Sequence, residues 1–193
     1  RRLRVPGEEE FQRKGVFYGN IQDFSFVQGK DVAVIGGGNS ALQIVETLHS
    51  VAGNIYIISD TELTADSVIV ERVSRFKNLK KFEGYKVLKF KGEETLSGIV
   101  IRKTASEEIM EIPVKGVFIA IGLQPNSSLV SHLVELNDRG EIIINPDCSA
   151  SYPGIFAAGD VTNAFGKRII IASGEGAKAA LAARQYILAQ TKK

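Results

Sequence analysis

The chain has 193 residues, an apolar fraction of 44% and a formal net charge of +2. This composition fits a globular protein with one ordinary hydrophobic core or two small ones, and it excludes a disordered chain. No stretch approaches the ~20 consecutive apolar residues of a membrane-spanning helix, and the first residues have no apolar run typical of a signal peptide. We therefore expect a cytoplasmic protein with no membrane or nucleic-acid partner.

The single cysteine and the two histidines limit the chemistry of the chain. Cys148 cannot by itself form an intrachain disulfide or a dithiol redox centre, and the scattered histidines argue against a metal site. No residue is a clear acid-base catalyst. The sequence therefore predicts binding sites for cofactors, with no catalytic or metal-ligating side chain.

Residues 31–58 predict a β-α-β unit. The run 31–35 is apolar and β-branched, and glycines follow it directly, as in a buried parallel strand that ends at a tight turn. The next residues form one apolar stripe at helical spacing, made of Ala41, Ile44, Val45, Leu48 and Ala52. This stripe predicts a helix that ends near Gly53. A second strand is predicted over 54–58.

A second helix and a group of antiparallel strands are predicted next. The helix covers 66–76 and has Asp66 as its N-cap. Three short strand-like runs follow, at 85–90, 97–102 and 108–112. Because polar turns separate these runs, they predict an antiparallel meander inserted in the α/β unit.

The remaining residues predict a change of domain. The run 116–121 predicts another buried strand, and the glycine and proline of 122–126 end it, so we place a domain boundary there. Further strands are predicted at 141–144 and 154–157, and a long helix is predicted at 170–189. The pattern as a whole predicts an α/β protein with a Rossmann-like dinucleotide-binding domain.

The glycine-rich turn after the first strand carries a dinucleotide fingerprint. Gly36, Gly38 and Ala41 occupy the G-x-G-x-x-A positions, which serve the tight turn, the approach of a pyrophosphate to the backbone, and close helix-strand packing. The helix N-terminus then faces the phosphates with unpaired N–H groups. The candidate phosphate-binding residues are Gly36, Gly37, Gly38, Asn39, Ser40 and Ala41. The alternative is a glycine turn that binds nothing.

The end of the second strand predicts which nicotinamide cofactor is bound. An acid about 20 residues beyond the glycines accepts from the ribose 2′-hydroxyl of NAD, whereas arginine there binds the 2′-phosphate of NADP. Asp60 is such an acid, and no arginine lies between Arg13 and Arg72. We therefore favour NADH over NADPH. Two alternatives stay open: Asp60 is an ordinary loop acid, or Lys80 or Lys81 folds back to supply a positive charge.

The order of segments along the chain resembles one flavoenzyme family. The segments are VPGE (5–8), KGVFY (14–18), VAVIGGGNSA (32–41), VFIAIGLQPN (117–126), RGEIIINPDC (139–148), GIFAAGD (154–160) and IIIASGEGAKAAL (169–181). Together they resemble the low-molecular-weight thioredoxin reductase family, and within it the alkyl hydroperoxide reductase flavoprotein branch, whose members use NADH. In this family a split FAD-binding domain brackets an inserted NAD(P)H-binding domain.

The resemblance implies three parts of this chain. Residues 1–14 are a linker from the FAD domain, 15–121 form the NAD(P)H-binding domain, and 122–193 are the C-terminal segment of the FAD-binding domain. Because the chain has only one glycine loop, the N-terminal FAD segment is expected to be missing from it. The resemblance implies FAD and NADH as cofactors and a homodimer as the assembly.

The resemblance also assigns the flavin-binding residues. Asp160 matches an acid that accepts from a flavin ribityl hydroxyl, and Gly159 allows a close approach. Near the flavin pyrimidine edge, at the start of the last helix, the matching residues are Lys167, Arg168, Ile169 and Ile170. The last candidate cofactor-binding residue is Gly122, which follows the strand at 116–121.

One departure from the family changes the expected function. The redox Cys-x-x-Cys of the family falls on Gly19 and Gln22, and neither side chain can form a disulfide or a flavin-thiolate adduct. Asp23 matches the acid beside the dithiol, and a surface or capping role is expected for it. We therefore expect part of an NADH-dependent FAD oxidoreductase that passes electrons to an unidentified acceptor without this dithiol. The alternatives are a disulfide reductase with its cysteines in a missing portion, and a non-catalytic nucleotide-binding or regulatory module.

Overall fold

The structure, a computed structural model, describes residues 1–19 and 24–191. The chain divides into two compact units, Arg1–Gly122 and Leu123–Lys193. The described part of the first unit combines a parallel sheet, two α-helices, a short 3-10 helix (Ser25–Val27) and a separate antiparallel sheet. This architecture confirms the predicted α/β class and the antiparallel meander.

The parallel sheet of the first unit has the strand order β1-β8-β2-β3-β4. Its strands are β1 (Val16–Tyr18), β2 (Val32–Ile35), β3 (Ile55–Ser59), β4 (Leu79–Glu83) and β8 (Gly116–Ile119). Every residue of β2, β3 and β8 is buried, because both faces of the sheet are covered. Alternate side chains belong to two different cores: Val34 and Ile57 lie in one, and Ile35 and Ile58 lie in the other.

The first core lies between the sheet and two helices, α1 (Asn39–Leu48) and α2 (Ser67–Val73). Four members of the predicted apolar stripe, Ala41, Ile44, Val45 and Leu48, are buried in α1 as expected. The predicted end of the helix near Gly53 was wrong, because α1 ends at Leu48 and Ala52 lies beyond it. Helix α2 is shorter than the predicted 66–76. Asp66 occupies its N-cap position but makes no side-chain capping hydrogen bond.

The second core lies between the sheet and the antiparallel meander. The meander consists of β5 (Tyr85–Gly92), β6 (Leu96–Lys103) and β7 (Ile109–Pro113), so the three predicted strand runs are confirmed. Residues 1–14, which were expected to be a linker, pack into this unit. The Phe11 side chain is buried in the second core, and the Phe90 N–H of β5 donates to the Pro6 carbonyl at 2.9 Å.

The second unit contains the long helix α3 (Ile169–Gln190), which confirms the helix predicted at 170–189. The strands predicted at 141–144 and 154–157 were wrong. Among the described residues, Ile142 and Phe156 form only isolated β-bridges, in which one residue pairs with one partner residue. Neither segment has the continuous ladder of paired residues that defines a strand. The buried core of this unit is correspondingly small and consists of Val134, Ile142 and Ala150. Among the described residues, no helix is both long and apolar enough to cross a membrane.

Candidate functional site

The turn after β2 requires glycine at position 36 for a structural reason. Gly36 has φ +127°, a conformation that residues with a Cβ rarely adopt. A Cβ added there would lie 2.3 Å from the Ala120 carbonyl oxygen, just beyond the end of β8. The Gly36 N–H donates to the Ile58 carbonyl of β3 at 2.9 Å. The turn is therefore pressed against the carboxyl ends of two neighbouring strands.

The two following glycines differ in how much space surrounds them. A Cβ at Gly37 would lie 2.7 Å from the Ser59 Oγ, whereas a Cβ at Gly38 would meet only the Thr64 Oγ1, at 4.0 Å. Gly38 has φ −89° and ψ 179°, which any residue adopts. Glycine at 38 is therefore not demanded by the fold, and its backbone is open on the side where a Cβ would project.

The start of α1 supplies partial positive charge beside this open backbone. The first N–H groups of a helix have no partner within it, and the helix dipole adds to their attraction for anions. Asn39 and Ser40 are exposed at this helix start, whereas Ala41 is buried beneath the turn. Ala41 therefore supports the turn by packing and has no direct access to a ligand.

The Asn39 side chain is hydrogen-bonded to the segment that precedes α2. Its Oδ1 accepts from the Asp66 N–H at 2.8 Å, and its Nδ2 donates to the Asp66 carboxylate at 3.0 Å. The Thr64 and Ala65 N–H groups also donate to the Gly37 carbonyl, at 2.8 and 3.1 Å. The segment between β3 and α2 is thereby fixed over the glycine turn.

A cavity of about 770 Å³ opens at this edge of the parallel sheet, entirely within the first unit. Its volume falls in the range of small-molecule and cofactor sites. Seven of the predicted cofactor-binding residues line it together: Gly36, Gly37, Gly38, Asn39, Ser40, Asp60 and Gly122. The cavity is also lined by residues that were not predicted, among them Leu3, Val5, Tyr85, Lys86 and Val87.

Asp60 is exposed on the cavity wall directly after β3, which is the position expected of a ribose-binding acid. The alternative in which Lys80 or Lys81 reaches the ligand finds no support. The Lys80 Nζ lies over the Tyr56 ring at 5.3 Å, and the Lys81 Nζ donates to the Ser74 Oγ at 2.6 Å. The lysine that does line the cavity is Lys86, which only the folding of the meander brings there.

The predicted flavin-binding residues of the second unit lie around a short 3-10 helix, Gly159–Val161. Gly159 has φ +78°, and a Cβ there would lie 3.2 Å from the Ala172 Cβ of α3. Asp160 is exposed on this turn. The turn is thus held close to α3, and the carboxylate beside it faces solvent.

A buried carboxylate that the sequence did not single out supports this turn. Glu175 of α3 is 8% exposed, and its Oε2 accepts from the Gly159 N–H at 2.7 Å. Its main-chain carbonyl accepts from the Cys148 thiol at 3.6 Å. A charged residue between two glycines of an apolar helix was the available signal. The structure shows that its carboxylate fixes the backbone next to Asp160.

The start of α3 combines one engaged cation with exposed apolar side chains. The Lys167 Nζ lies 3.1 Å from the Glu141 carboxylate and also donates to the Thr162 carbonyl. Hydrogen bonds from Asn137 and Lys167 hold the pKa of Glu141 below its ordinary value. Arg168 is the N-cap residue of α3, and the side chains of Ile169 and Ile170 are 90% and 79% exposed.

The position of the family's first redox cysteine lies at the end of β1. Gly19 is exposed, and its N–H donates to the Ile119 carbonyl of β8 at 3.2 Å. Gln22 and Asp23 lie outside the described residues. Among residues 1–19 and 24–191, no group of three or more His, Cys, Asp or Glu side chains is arranged to hold a metal ion.

Curated proteins similar to this chain are longer than it. An alkyl hydroperoxide reductase protein of Staphylococcus epidermidis is 40% identical over 189 residues, which are 97% of this chain and 37% of that protein. An NADH dehydrogenase of Ferdinandcohnia aciditolerans is 38% identical over 192 residues, which are 99% of this chain and 37% of that protein. The chain thus spans little more than a third of these relatives.

Solved structures and a family model agree with this relationship. Thioredoxin reductase of Lactococcus lactis superposes with a TM-score of 0.85 at 30% identity, over 97% of this chain and 63% of that one. Thioredoxin reductase of T. acidophilum gives 0.83 at 31% identity, over 98% of this chain and 62% of that one. The resemblance drawn from the sequence is confirmed, and the pyridine nucleotide-disulphide oxidoreductase model matches residues 1–185. The chain belongs to the pyridine nucleotide-disulphide oxidoreductase family.

Proposed function

We propose that this chain is the NADH-binding domain and the C-terminal flavin segment of an FAD oxidoreductase. The observation that carries the proposal is the open backbone of Gly38, which lies on the wall of a 770 Å³ cavity at the start of α1. Backbone N–H groups at a helix start bind a pyrophosphate, and a missing Cβ lets the phosphates approach. The site thus has the two features that a dinucleotide requires.

The acid at the end of β3 favours NADH over NADPH. Asp60 offers an acceptor for a ribose 2′-hydroxyl, and the same carboxylate repels a 2′-phosphate. Lys86, Arg1 and Arg2 also line the cavity and supply opposing positive charge, and the Arg2 guanidinium is paired with the Glu9 carboxylate at 2.5 Å. The name of one relative, NADH dehydrogenase, agrees with this preference.

In the second unit the exposed Asp160 would hold the ribityl chain of FAD, and the N–H groups at the start of α3 would stabilise negative charge on the flavin ring. The two cofactors supply the redox chemistry, a hydride from NADH and its acceptance by FAD. The protein groups hold and orient them. The Glu175 carboxylate binds the Gly159 N–H and fixes the backbone beside Asp160. The ion pair of Lys167 with Glu141 fixes the backbone at the start of α3.

The position of the family's first redox cysteine leads us to propose a different electron exit at this site. Gly19 carries no thiol at the end of β1, so a flavin-to-dithiol transfer cannot begin there. The acceptor therefore meets the flavin directly, or a thiol comes from elsewhere. Ferredoxin, a quinone, oxygen and a partner thiol protein are the candidate acceptors.

The second unit exposes several large apolar side chains. Phe165, Ile169, Ile170 and Leu129 are between 79% and 98% exposed, and large exposed apolar patches mark interfaces. We propose that an N-terminal FAD-binding segment, in the same protein or another chain, covers this surface, and that the protein forms a homodimer. A well-behaved monomer of residues 1–193 alone with tightly bound FAD would contradict this part of the proposal.

The test is an anaerobic titration of the longest natural form of the protein with NADH. A yellow protein whose flavin absorption is bleached by stoichiometric NADH supports the oxidoreductase. A colourless protein that binds NADH supports a nucleotide-binding or regulatory module instead, and a protein that binds neither cofactor refutes both.

A disulfide reductase is a second candidate, because the chain spans only 37% of curated relatives in a family named for disulphide chemistry. Its redox cysteines would then lie outside residues 1–193. Thiol titration of the longest natural form, before and after reduction by NADH, decides the point. Two additional thiols after reduction support this candidate, and an unchanged count excludes it.

A further inference from the structure

Glu8 is a buried carboxylate that the proposed function does not use. The residue is 2% exposed, and the partners of its side chain are uncharged donors. Oε1 accepts from the Leu3 N–H at 2.8 Å and from the Tyr18 hydroxyl at 2.6 Å. Oε2 accepts from the Arg4 N–H and, at a longer 3.4 Å, from the Val5 N–H. A buried charge with this many donors has a definite structural task.

The backbone of residues 3–5 is shaped to hold this carboxylate. Arg4 has φ +59°, in the left-handed region that is unfavourable for a residue with a Cβ. This conformation turns successive N–H groups toward one point, which is the geometry of an anion-binding nest. Burial raises the pKa of Glu8, but the hydrogen bonds from Tyr18 and the three N–H groups outweigh it and hold the pKa below its ordinary value. The carboxylate is therefore charged at neutral pH and stabilises an otherwise strained segment.

The segment that Glu8 holds forms part of the cofactor cavity. Leu3 and Val5 line that cavity together with the glycine turn. The next residues are pressed against β5, where a Cβ at Gly7 would lie 2.7 Å from the Phe90 carbonyl oxygen. The contact of Gly7 with β5 thus holds the chain just after residues 3–5, and the Glu8 carboxylate holds the N–H groups of residues 3–5 themselves.

We infer that Glu8 is a positioning residue for the dinucleotide. Its carboxylate binds the N–H groups of residues 3–5 and the Tyr18 hydroxyl, and it thereby fixes Leu3 and Val5 in the cavity wall. These two apolar side chains then pack against a ring of the bound cofactor. The inference rests on the proposed function, because it requires that NADH occupies this cavity. It adds a source of affinity that lies outside the glycine fingerprint and the ribose-binding acid.

The test compares Glu8→Gln and Tyr18→Phe with a matched control, Glu10→Gln, which neutralises an exposed carboxylate two residues away. NADH dissociation constants are measured by nicotinamide fluorescence on flavin-free protein, in which NADH is not consumed by reduction of the flavin. We expect Glu8→Gln to weaken binding by roughly tenfold and Tyr18→Phe by about threefold, since the first disrupts the nest and the second removes one hydrogen bond. Glu10→Gln should leave the constant unchanged.

A double-mutant cycle with Val5→Ala separates positioning from general loosening. If Glu8 acts through the wall, Glu8→Gln costs less than about twofold once Val5 is truncated, because the two changes remove the same contact. Fully additive effects overturn the inference, and so does a wild-type dissociation constant for a folded Glu8→Gln. If Glu8→Gln fails to fold by circular dichroism, Tyr18→Phe decides, and unchanged binding by that variant overturns the inference.

The failure of the inference and the failure of the proposed function are distinguishable. Wild-type protein that binds no NADH refutes the proposed function. Wild-type protein that binds NADH, together with a folded Glu8 variant that binds it equally well, refutes only the role of Glu8.

Discussion

Substitution of Gly38 by alanine tests the cofactor site without disturbing the fold. The added Cβ would contact only the Thr64 Oγ1, at 4.0 Å, and the φ of −89° suits alanine. Alanine is a poorer N-cap than glycine by several tenths of a kcal/mol. It also lowers the entropy of the unfolded chain, which stabilises by about 0.4–1 kcal/mol. The free energy of unfolding should therefore change by less than about 1 kcal/mol.

The same methyl group should strongly oppose dinucleotide binding. It occupies the space beside the backbone at the start of α1, where a pyrophosphate must approach most closely. Forcing an additional methyl into a tight contact costs about 1–3 kcal/mol, which corresponds to a dissociation constant about 5- to 150-fold higher. Binding and stability are thus expected to separate in this variant.

The assay is an NADH titration of flavin-free protein followed by nicotinamide fluorescence, with thermal unfolding measured on the same samples. Gly176→Ala is the matched control, because a Cβ there meets nothing within 4 Å and the residue lies in α3. It should leave NADH affinity unchanged. If Gly38→Ala binds NADH as tightly as the wild type at an unchanged melting temperature, the assignment of the phosphates to this backbone is refuted.

Three further substitutions address the acid at the cavity, the flavin turn and the buried carboxylate. Asp60→Asn should raise the NADH dissociation constant about fivefold and narrow the preference for NADH over NADPH, since an exposed charge-assisted hydrogen bond contributes about 1 kcal/mol. Equal losses of affinity for both cofactors in competitive titrations would argue against a ribose contact. Glu175→Leu should lower the FAD content of the longest natural form, because the Gly159 N–H loses its acceptor. Glu175→Gln retains an oxygen acceptor and should keep most of the flavin. Equal flavin content in the two variants contradicts a role of this hydrogen bond in flavin binding. The pKa of Glu8 is lower in the folded protein than its unfolded value of about 4.3. The carboxylate therefore stabilises the fold above that unfolded value, and this stabilisation is lost as the pH falls through the lower folded pKa. Glu8→Gln should flatten the acid side of the profile of unfolding free energy against pH measured with urea, and an unchanged acid side speaks against the nest.

The elements that the sequence predicted well are those with strong local signals. The stripe of α1 and the glycines before it follow from spacing along a single element, and the meander follows from its alternating strands and polar turns. The short edge strands β1 and β4 were missed because their sequences carry little such signal. The first has three residues, and three of the five residues of the second are charged.

The parts that were wrong or missed depend on contacts between distant residues. The runs at 141–144 and 154–157 have strand-like composition, but a strand also requires a partner along its length, and Ile142 finds only single pairings. Lys86 reaches the cavity only because the meander packs on the sheet. Glu8 and Glu175 look like ordinary charged residues in sequence, and only the structure reveals that their carboxylates are buried against backbone donors.

The glycine in place of a redox cysteine is matched by the backbone around it. Gly19 has φ +69°, and a Cβ there would meet no atom of the described residues within 4 Å. Space therefore does not exclude a side chain, but the left-handed conformation costs a residue with a Cβ about 1–2 kcal/mol. We expect both Gly19→Cys and Gly19→Ala to lower the free energy of unfolding by about that amount, measured by urea denaturation under reducing conditions. If Gly19→Cys leaves the free energy of unfolding unchanged, the backbone at this position accepts cysteine without strain, and glycine differs from cysteine here only in lacking the thiol side chain. A loss shared by both variants would mean that the backbone conformation of Gly19 itself is suited to glycine, so that a thiol restored at this position carries a cost in stability.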